Sequence, residues 1–219
     1  MRKLFVSPSL LAADKNNILK DIKRAEEAGA KYIHIDVMDG KFVSNISFSV
    51  DFVKQYSKSH NMINDVHIMI SNPKEDAIKY LEAGADILTF HLEACSSKEE
   101  VEEIIDLIHS HNKLAGLSIN PETDVKEVLP FLNKLDLVLV MSVKPGKGGQ
   151  VFNDSALTKI STLRKEIDRN NLKTLIEVDG GINQETAKFV IEAGVDILVS
   201  GSYLFNFEDM KKGIETLGL

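Results

Sequence analysis

The stretch His34-Ile35-Asp36-Val37-Met38-Asp39-Gly40 combines the pattern of a buried strand with two residues suited to chemistry. Side chains alternate between the two faces of a strand, so His34 and Asp36 share one face while Ile35 and Val37 share the other. Burying an imidazole and a carboxylate without partners is costly, and a divalent cation accepts both as ligands. The stretch therefore predicts an inward-facing pair of metal ligands in a closed sheet.

Apolar runs of strand length alternate with longer helical patterns along the chain, which is typical of βα units around a parallel sheet. Eight strands are predicted, at residues 4–9, 32–37, 65–70, 87–91, 114–120, 137–143, 175–179 and 197–200. Eight helices are predicted, at residues 18–28, 50–57, 74–83, 98–111, 125–132, 155–170, 184–193 and 208–217, and a short one at 204–206. Pro130 is the least helical feature of the fifth helix.

Three similar segments mark the ends of predicted helices: EAGA at 27–30, EAGAD at 82–86 and EAGVD at 192–196. Their glycines lie 55 and 110 residues apart, as expected if they end the first, third and seventh helices. Eight units of about 27.5 residues need about 220 residues, against the 219 present. This spacing favours a (β/α)8 TIM barrel, one domain over residues 1–219, rather than an open doubly wound sheet.

The composition, 43% hydrophobic and 27% charged, is that of an ordinary globular protein. A net charge of −7 argues against binding nucleic acid or an anionic membrane surface. The sequence has neither an apolar run of about 18 residues nor an evident signal peptide, and its single cysteine, Cys95, fits a reducing compartment. A cytoplasmic protein that spans no membrane is therefore expected, with no role for Cys95.

Polar residues at the ends of the predicted strands are the candidates for an active site, because barrels of this kind carry their chemistry there. Strands two, three and seven bring together His34, Asp36, His67 and Asp179. This mixed nitrogen and oxygen set suits one divalent ion, Zn²⁺, Fe²⁺, Mn²⁺ or Co²⁺. We expect His91 and Glu93 at most to line the site, and His60, His109 and His111 to have no role.

Glycine-rich loops follow strands six, seven and eight and form a second candidate site. Their residues are Gly146, Lys147, Gly148 and Gly149, then Gly180 and Gly181, then Gly201 and Ser202. Backbone N–H groups at such glycines can turn toward an anion, so a phosphate monoester is the expected guest. Lys147 either adds a charge for the phosphate or is a solvated loop residue. Met38, Met69 and Met141 either wall the site or simply pack in the core.

Six ordered segments resemble the ribulose-phosphate 3-epimerase family over essentially the whole chain. They are SPSLLAAD at 7–14, HIDVMDG at 34–40, DVHIMI at 65–70, Met141-Ser142-Val143 with Pro145-Gly146, EVDGG at 177–181 and Gly201-Ser202. The resemblance implies a (β/α)8 barrel that interconverts D-ribulose 5-phosphate and D-xylulose 5-phosphate in the pentose phosphate pathway. It also implies one divalent metal and no organic cofactor, with assembly into a homo-oligomer, either a dimer or a hexamer.

The resemblance further implies a role for each matching residue. His34, Asp36, His67 and Asp179 are then metal ligands, with Asp36 as proton acceptor and Asp179 as proton donor. The substrate is then held by Ser9, His67, Gly146, Lys147, Gly148, Gly149, Gly180, Gly181, Gly201 and Ser202. Removing a proton beside a carbonyl and returning one on the opposite face requires a base and an acid, and the two aspartates supply them.

Four loop residues depart from the pattern of the family. Ser44 and Ser49 stand where proline and glycine are common, Lys144 where asparagine or aspartate is usual, and Lys147 where an aromatic residue is usual. The changes concern the cover over the substrate and leave a hexulose phosphate such as allulose 6-phosphate as an alternative substrate. Two more distant alternatives are a Schiff-base aldolase using Lys144 and a non-catalytic sensor of a phosphorylated ligand.

Overall fold

The structure, a computed structural model, describes residues 3–219 and contains eight parallel strands in one sheet. The strands are β1 (Phe5–Pro8), β2 (Tyr32–Met38), β3 (Ile63–Met69), β4 (Ile87–His91), β5 (Leu114–Ile119), β6 (Leu137–Met141), β7 (Leu175–Asp179) and β8 (Ile197–Ser200). Each predicted strand is present, with ends that differ by up to two residues. The fold is the predicted single-domain (β/α)8 barrel.

Helices alternate with the strands in seven of the eight βα units of the described chain. They are α1 (Ile18–Glu27), α2 (Val50–Tyr56), α3 (Pro73–Ala83), α4 (Lys98–Ser110), α5 (Ser155–Arg169), α6 (Gln184–Ala193), α7 (Ser202–Phe205) and α8 (Met210–Thr216). The short helix after β8 begins at Ser202, earlier than predicted, and α8 begins at Met210, later than predicted. No helix within residues 3–219 is long and apolar enough to cross a membrane.

The predicted fifth helix, residues 125–132, is wrong. Two short 3-10 turns, Val125–Glu127 and Leu129–Phe131, stand in its place between β5 and β6. Pro130 lacks the N–H that an α-helix needs at this position, and its ring would clash with the carbonyl four residues earlier. Proline is tolerated in the first turn of a helix, where it lies here.

The barrel closes where the first strand meets the second. Ladders of parallel pairs connect the strands in the order β1-β8-β7-β6-β5-β4-β3-β2. A single parallel bridge, between Ser9 and His34, joins the two ends of this order. In the ladder between β2 and β3, Asp36 is paired with His67 and Met38 with Met69. The register therefore places the predicted metal ligands of β2 and β3 side by side.

The interior of the barrel is layered from apolar to polar. Tyr32, Ile87, Leu137 and Ile197 belong to a buried apolar cluster at the beginnings of the strands. Side-chain direction repeats every second residue, so the positions two residues further along each strand also face inward. In several strands the residue at this second inward position is polar. The polar layers therefore lie toward the carboxyl ends of the strands, while the larger apolar core fills the space between the sheet and the helices.

Candidate active site

Four side chains from three strands converge at the carboxyl end of the barrel. His34, Asp36, His67 and Asp179 each offer a ligand atom, and these atoms all lie within 4.8 Å of one another. Asp36 Oδ1 is 3.3 Å from His34 Nε2 and 3.2 Å from His67 Nδ1. The four residues that the sequence predicted as metal ligands are therefore brought together.

The donor set fits a divalent cation. Two imidazole nitrogens approach one carboxylate oxygen, and a second carboxylate, that of Asp179, lies beside them. His34 Nε2 is fully buried and has no hydrogen-bond partner, although it points toward Asp36. Buried nitrogen atoms without partners are costly, and a cation bound by both nitrogen and oxygen would remove this cost.

A second buried polar group lies beneath these residues and was missed in the sequence. Asp65 accepts hydrogen bonds from Ser7 Oγ at 2.9 Å and from His34 Nδ1 at 2.6 Å. Because Nδ1 of His34 donates to Asp65, its Nε2 is directed toward the metal position. The period of two along a strand was the available signal, since Ser7, Asp65 and Glu177 each precede a predicted site residue by two positions.

The two aspartates of the site differ in proton affinity. Burial by itself raises the pKa of Asp36, but His34 and His67 outweigh it and hold this pKa well below its usual range. Burial, reinforced by the negative charge of Asp36, raises the pKa of Asp179 to about 7. Near neutral pH Asp36 is thus an ionised carboxylate, whereas Asp179 binds a proton readily. Such a separation is typical of base and acid pairs in enzymes.

The buried side chains around the two aspartates differ from one another in proton affinity. Burial by itself lowers the pKa of His34, but the attraction of Asp65 and Asp36 together outweighs it and raises this pKa well above its usual value. Burial lowers the pKa of His67 to about 4, so this ring is neutral near pH 7. Burial and the charge of Asp65 raise the pKa of Glu177 well above its usual value, which favours the protonated carboxyl.

His91 and Glu93 form a row with His67 and do not line the cavity above the four converging residues. His91 Nε2 is 2.9 Å from His67 Nε2, and His91 Nδ1 is 3.1 Å from Glu93 Oε2. The Glu93 Oε1 atom accepts hydrogen bonds from the backbone N–H of Asn120, at 2.7 Å, and from the Thr123 hydroxyl. Burial raises the pKa of Glu93, but these hydrogen bonds outweigh it, so the net shift is downward.

A cavity of about 920 Å³ opens above the four converging residues. Its lining includes most of the predicted substrate residues, namely Ser9, Gly146, Lys147, Gly148, Gly149, Gly180, Gly181, Gly201 and Ser202. Met38, Met69 and Met141 line it as well, so the three methionines are walls of this cavity. His67, which is fully buried, is not among the lining residues.

The turn after β7 depends on glycine. Gly180 has φ +117°, and a Cβ there would lie 2.5 Å from a methyl group of Val143 and 2.8 Å from Ser142 Oγ. The Ser142 hydroxyl in turn donates to the Gly180 carbonyl at 2.5 Å. The loops after β6 and β7 are therefore packed together, which brings their backbone N–H groups to one end of the cavity.

The loop after β2 reaches across to the loop after β6. Asn45 Nδ2 donates to the Gly146 carbonyl at 2.7 Å, and Ser47 Oγ donates to the Asp36 carbonyl at 2.5 Å.

The four residues that depart from the family pattern lie in loops. Ser49 caps α2 by accepting a hydrogen bond from the Phe52 N–H. Ser44, Lys144 and Lys147 are exposed. Lys144 and Lys147 line the cavity, Ser44 and Ser49 do not, and none of the four is one of the converging residues.

Comparisons with known proteins agree on one family. A sequence model described as "Ribulose-phosphate 3 epimerase family" matches residues 5–205. The "Ribulose-phosphate 3-epimerase" of Bacillus subtilis is 43% identical over 213 residues, covering 97% of both chains. The protein of the same name from Schizosaccharomyces pombe is 38% identical, over 97% of this chain and 91% of its own. A mutant tryptophan synthase alpha-subunit from Pyrococcus furiosus aligns over the full length of both chains with a TM-score of 0.70 at 16% identity, a likeness of fold alone.

Proposed function

The chain belongs to the ribulose-phosphate 3-epimerase family, and we propose that it interconverts D-ribulose 5-phosphate and D-xylulose 5-phosphate by moving a proton at C3. The observation that carries this proposal is the meeting of Asp36 and Asp179 beneath a cavity whose far end is built from glycine-rich loops. Relatives in Bacillus subtilis, Schizosaccharomyces pombe and Arabidopsis thaliana are all named as epimerases of ribulose phosphate, which favours the pentulose phosphate over allulose 6-phosphate.

Two carboxylates on separate strands suit an inversion. Asp36 takes the proton from C3, and Asp179 returns one from the opposite face, because β1 and β8 lie between their strands in the sheet order. Ser9 Oγ donates to Asp36 Oδ2 at 2.7 Å and so orients the base. The low pKa of Asp36 and the raised pKa of Asp179 agree with this division of roles.

His34, Asp36, His67 and Asp179 would hold one divalent cation, Zn²⁺, Fe²⁺, Mn²⁺ or Co²⁺. When bound, such an ion supplies a Lewis acid that stabilises negative charge on the oxygens next to the reacting carbon. No organic cofactor is expected, since proton transfer beside a carbonyl needs only the base, the acid and charge stabilisation.

The remaining lining residues would bind the substrate. Backbone N–H groups of Gly146, Gly148, Gly149, Gly180, Gly181, Gly201 and Ser202 would hold the phosphate. Lys147 is exposed at the rim and would add at most a screened charge. Met38, Met69 and Met141 present apolar side chains to the part of the sugar nearest the cation. His67 would act on the substrate only through the metal, since it does not line the cavity.

The proposal is tested by removing and restoring the metal. Protein treated with a chelator should lose epimerase activity toward D-ribulose 5-phosphate and regain it with about one added ion per chain. Measuring kcat/KM with D-allulose 6-phosphate in the same samples decides between the two substrates. Full activity without metal, or a higher kcat/KM for the hexulose phosphate, would contradict the proposal.

The aldolase alternative is not favoured. A Schiff-base lysine must be desolvated to lose its proton, whereas Lys144 is exposed on the loop after β6. Treatment with borohydride in the presence of substrate should therefore leave Lys144 unmodified.

The resemblance predicts a homo-oligomer, either a dimer or a hexamer, and light scattering would measure its size directly. The composition predicts a cytoplasmic location.

A further inference from the structure

A row of four side chains leads from the candidate metal centre to the rim of the barrel: Asp36, His67, His91 and Glu93. The successive contacts are 3.2 Å from Asp36 Oδ1 to His67 Nδ1, 2.9 Å between the two Nε2 atoms, and 3.1 Å from His91 Nδ1 to Glu93 Oε2. Both rings are fully buried, and the Glu93 side chain is 23% exposed. Each ring nitrogen therefore depends on its neighbour in the row for a hydrogen bond.

The row contains more contacts than protons when both rings are neutral. A neutral imidazole has one N–H and one bare nitrogen, so the two rings supply two protons. The row has three contacts, and each needs one proton to become a hydrogen bond. One contact must therefore be left with two acceptors facing each other.

Glu93 decides which contact lacks its proton. Its Oε1 already accepts from Asn120 N–H and the Thr123 hydroxyl, which orients Oε2 toward His91. A carboxylate can only accept there, and the same is true of Asp36 at the other end of the row. Asp36 Oδ1, however, also faces His34 Nε2 at 3.3 Å, whereas Glu93 Oε2 faces His91 Nδ1 at 3.1 Å. Glu93 therefore has the greater need of a proton from the row, so Nδ1 of His91 donates and its Nε2 is bare. The Nε2–H of His67 then donates to His91, and Nδ1 of His67 is left bare beside Asp36.

We propose that Glu93, acting through His91, is a positioning residue that holds His67 in the tautomer with a bare Nδ1, so that a cation takes the place of the missing proton. The inference deepens the metal-dependent function proposed above and rests on it. Asp65 does the same for His34 directly, by accepting its Nδ1–H at 2.6 Å. The two imidazoles thus face Asp36 through opposite ring nitrogens, each oriented by its own carboxylate.

Replacing Glu93 with glutamine tests the proposal, because it reverses the row at nearly constant shape. The amide oxygen should occupy the place of Oε1, where it meets the donors of Asn120 and Thr123. The amide NH2 then faces His91 Nδ1 and donates to it. His91 in turn donates to His67, and His67 donates to Asp36, so that a proton fills the position where the cation should bind.

Glu93→Gln should weaken Co²⁺ binding by about 10- to 100-fold, the range for partners of metal ligands. Binding is followed by the visible absorbance of Co²⁺ in competition with a chelator. Glu93→Ala removes the acceptor without supplying a donor, so it should weaken Co²⁺ binding less than Glu93→Gln does. In urea unfolding without metal, Glu93→Ala should be the less stable variant, since it loses the contacts with Asn120 and Thr123. A purely structural role of Glu93 would make alanine the worse substitution in both measurements.

Asp136→Asn is the matched control. Asp136 likewise accepts from a histidine ring, His109 Nε2 at 2.8 Å, and from one backbone N–H, that of Ala115 at 2.9 Å. It precedes β6, at the opposite end of the barrel, so Co²⁺ binding should stay at the wild-type level in this variant.

Nitrogen-15 chemical shifts of the histidine rings in the metal-free protein read the tautomer directly. The expected result is a bare Nδ1 on His67 in the wild type and an N–H there in Glu93→Gln. An Nδ1–H on wild-type His67, or equal Co²⁺ affinity of the wild type and Glu93→Gln, would overturn the inference. A wild type that shows the bare Nδ1 and binds Co²⁺ but lacks epimerase activity would instead overturn the proposed function.

Discussion

Two aspartates in one buried site acquire different properties from their immediate neighbours. Asp36 lies between two imidazoles and accepts from Ser9 Oγ, and these contacts stabilise its negative charge. Asp179 is also buried but lies beside the charge of Asp36, which disfavours a second ionised carboxylate. The surroundings, and not the residue type, therefore distinguish the proposed base from the proposed acid.

Changing Asp179 to asparagine should reduce turnover by at least about 10²-fold, because the side chain keeps its size but can no longer return a proton. The measurement is kcat for D-ribulose 5-phosphate, with the metal content of each sample determined alongside, since asparagine is also a poorer ligand. Asp136→Asn, the same substitution at the other end of the barrel, is the control and should keep its turnover. A metal-loaded Asp179→Asn protein that turns over at the wild-type rate would show that another group is the acid.

At the scale of the elements, glycines end several helices in the left-handed conformation that lets the chain turn into the next strand. Gly84 ends α3 with φ +114°, and Gly194 ends α6 with φ +115°. Gly29 follows α1 with φ +91°. These are the three positions of the sequence repeat, so the repeat corresponds to a shared helix ending.

Alanine substitutions at two of these glycines should have unequal costs. A Cβ at Gly29 meets nothing within 4 Å, so Gly29→Ala should cost only the left-handed strain, about 1 to 2 kcal/mol. A Cβ at Gly84 would lie 2.5 Å from Ser57 Oγ, which donates to the Ala83 carbonyl. Gly84→Ala should therefore cost about 1 kcal/mol more. Urea unfolding of both variants measures the difference, and equal costs would rule out the steric contribution.

The proposed metal site connects distant parts of the whole molecule. The residues proposed as ligands come from β2, β3 and β7, and β2 also forms one side of the seam that a single bridge closes. A cation held by these residues should therefore stabilise the entire barrel against unfolding. Near the seam, Ser9 adds a hydrogen bond to Asp36 that also joins the two sides.

Binding of Co²⁺ should raise the melting temperature of the protein. At a free concentration 100-fold above Kd, an ion that binds only the folded state adds about 2.7 kcal/mol, which corresponds to about 5 to 10 °C for a chain of this size. Differential scanning calorimetry with and without Co²⁺ measures the shift. Mg²⁺ at the same concentration is the control and should have a smaller effect, since it prefers oxygen ligands. An unchanged melting temperature would argue against a cation at these four residues.

The local pattern of the chain was sufficient to predict the eight strands, the barrel and the convergence of His34, Asp36, His67 and Asp179. These features follow from the period of two along each strand and from the rule that parallel strands end on one side. The prediction of the fifth helix is wrong, because residues 125–132 have a helical pattern but Pro130 lacks the N–H that the interior of an α-helix requires.

Only the tertiary structure decided which polar groups became partners. His34 with Asp65, His67 with His91, and Glu93 with Asn120 are each more than 20 residues apart in the chain. Their contacts depend on the stagger between strands and on the rotamers that the closed barrel allows, neither of which is a property of a single segment. The type of each residue was visible in the sequence, but the direction in which its protons point depends on the partner that the fold places beside it.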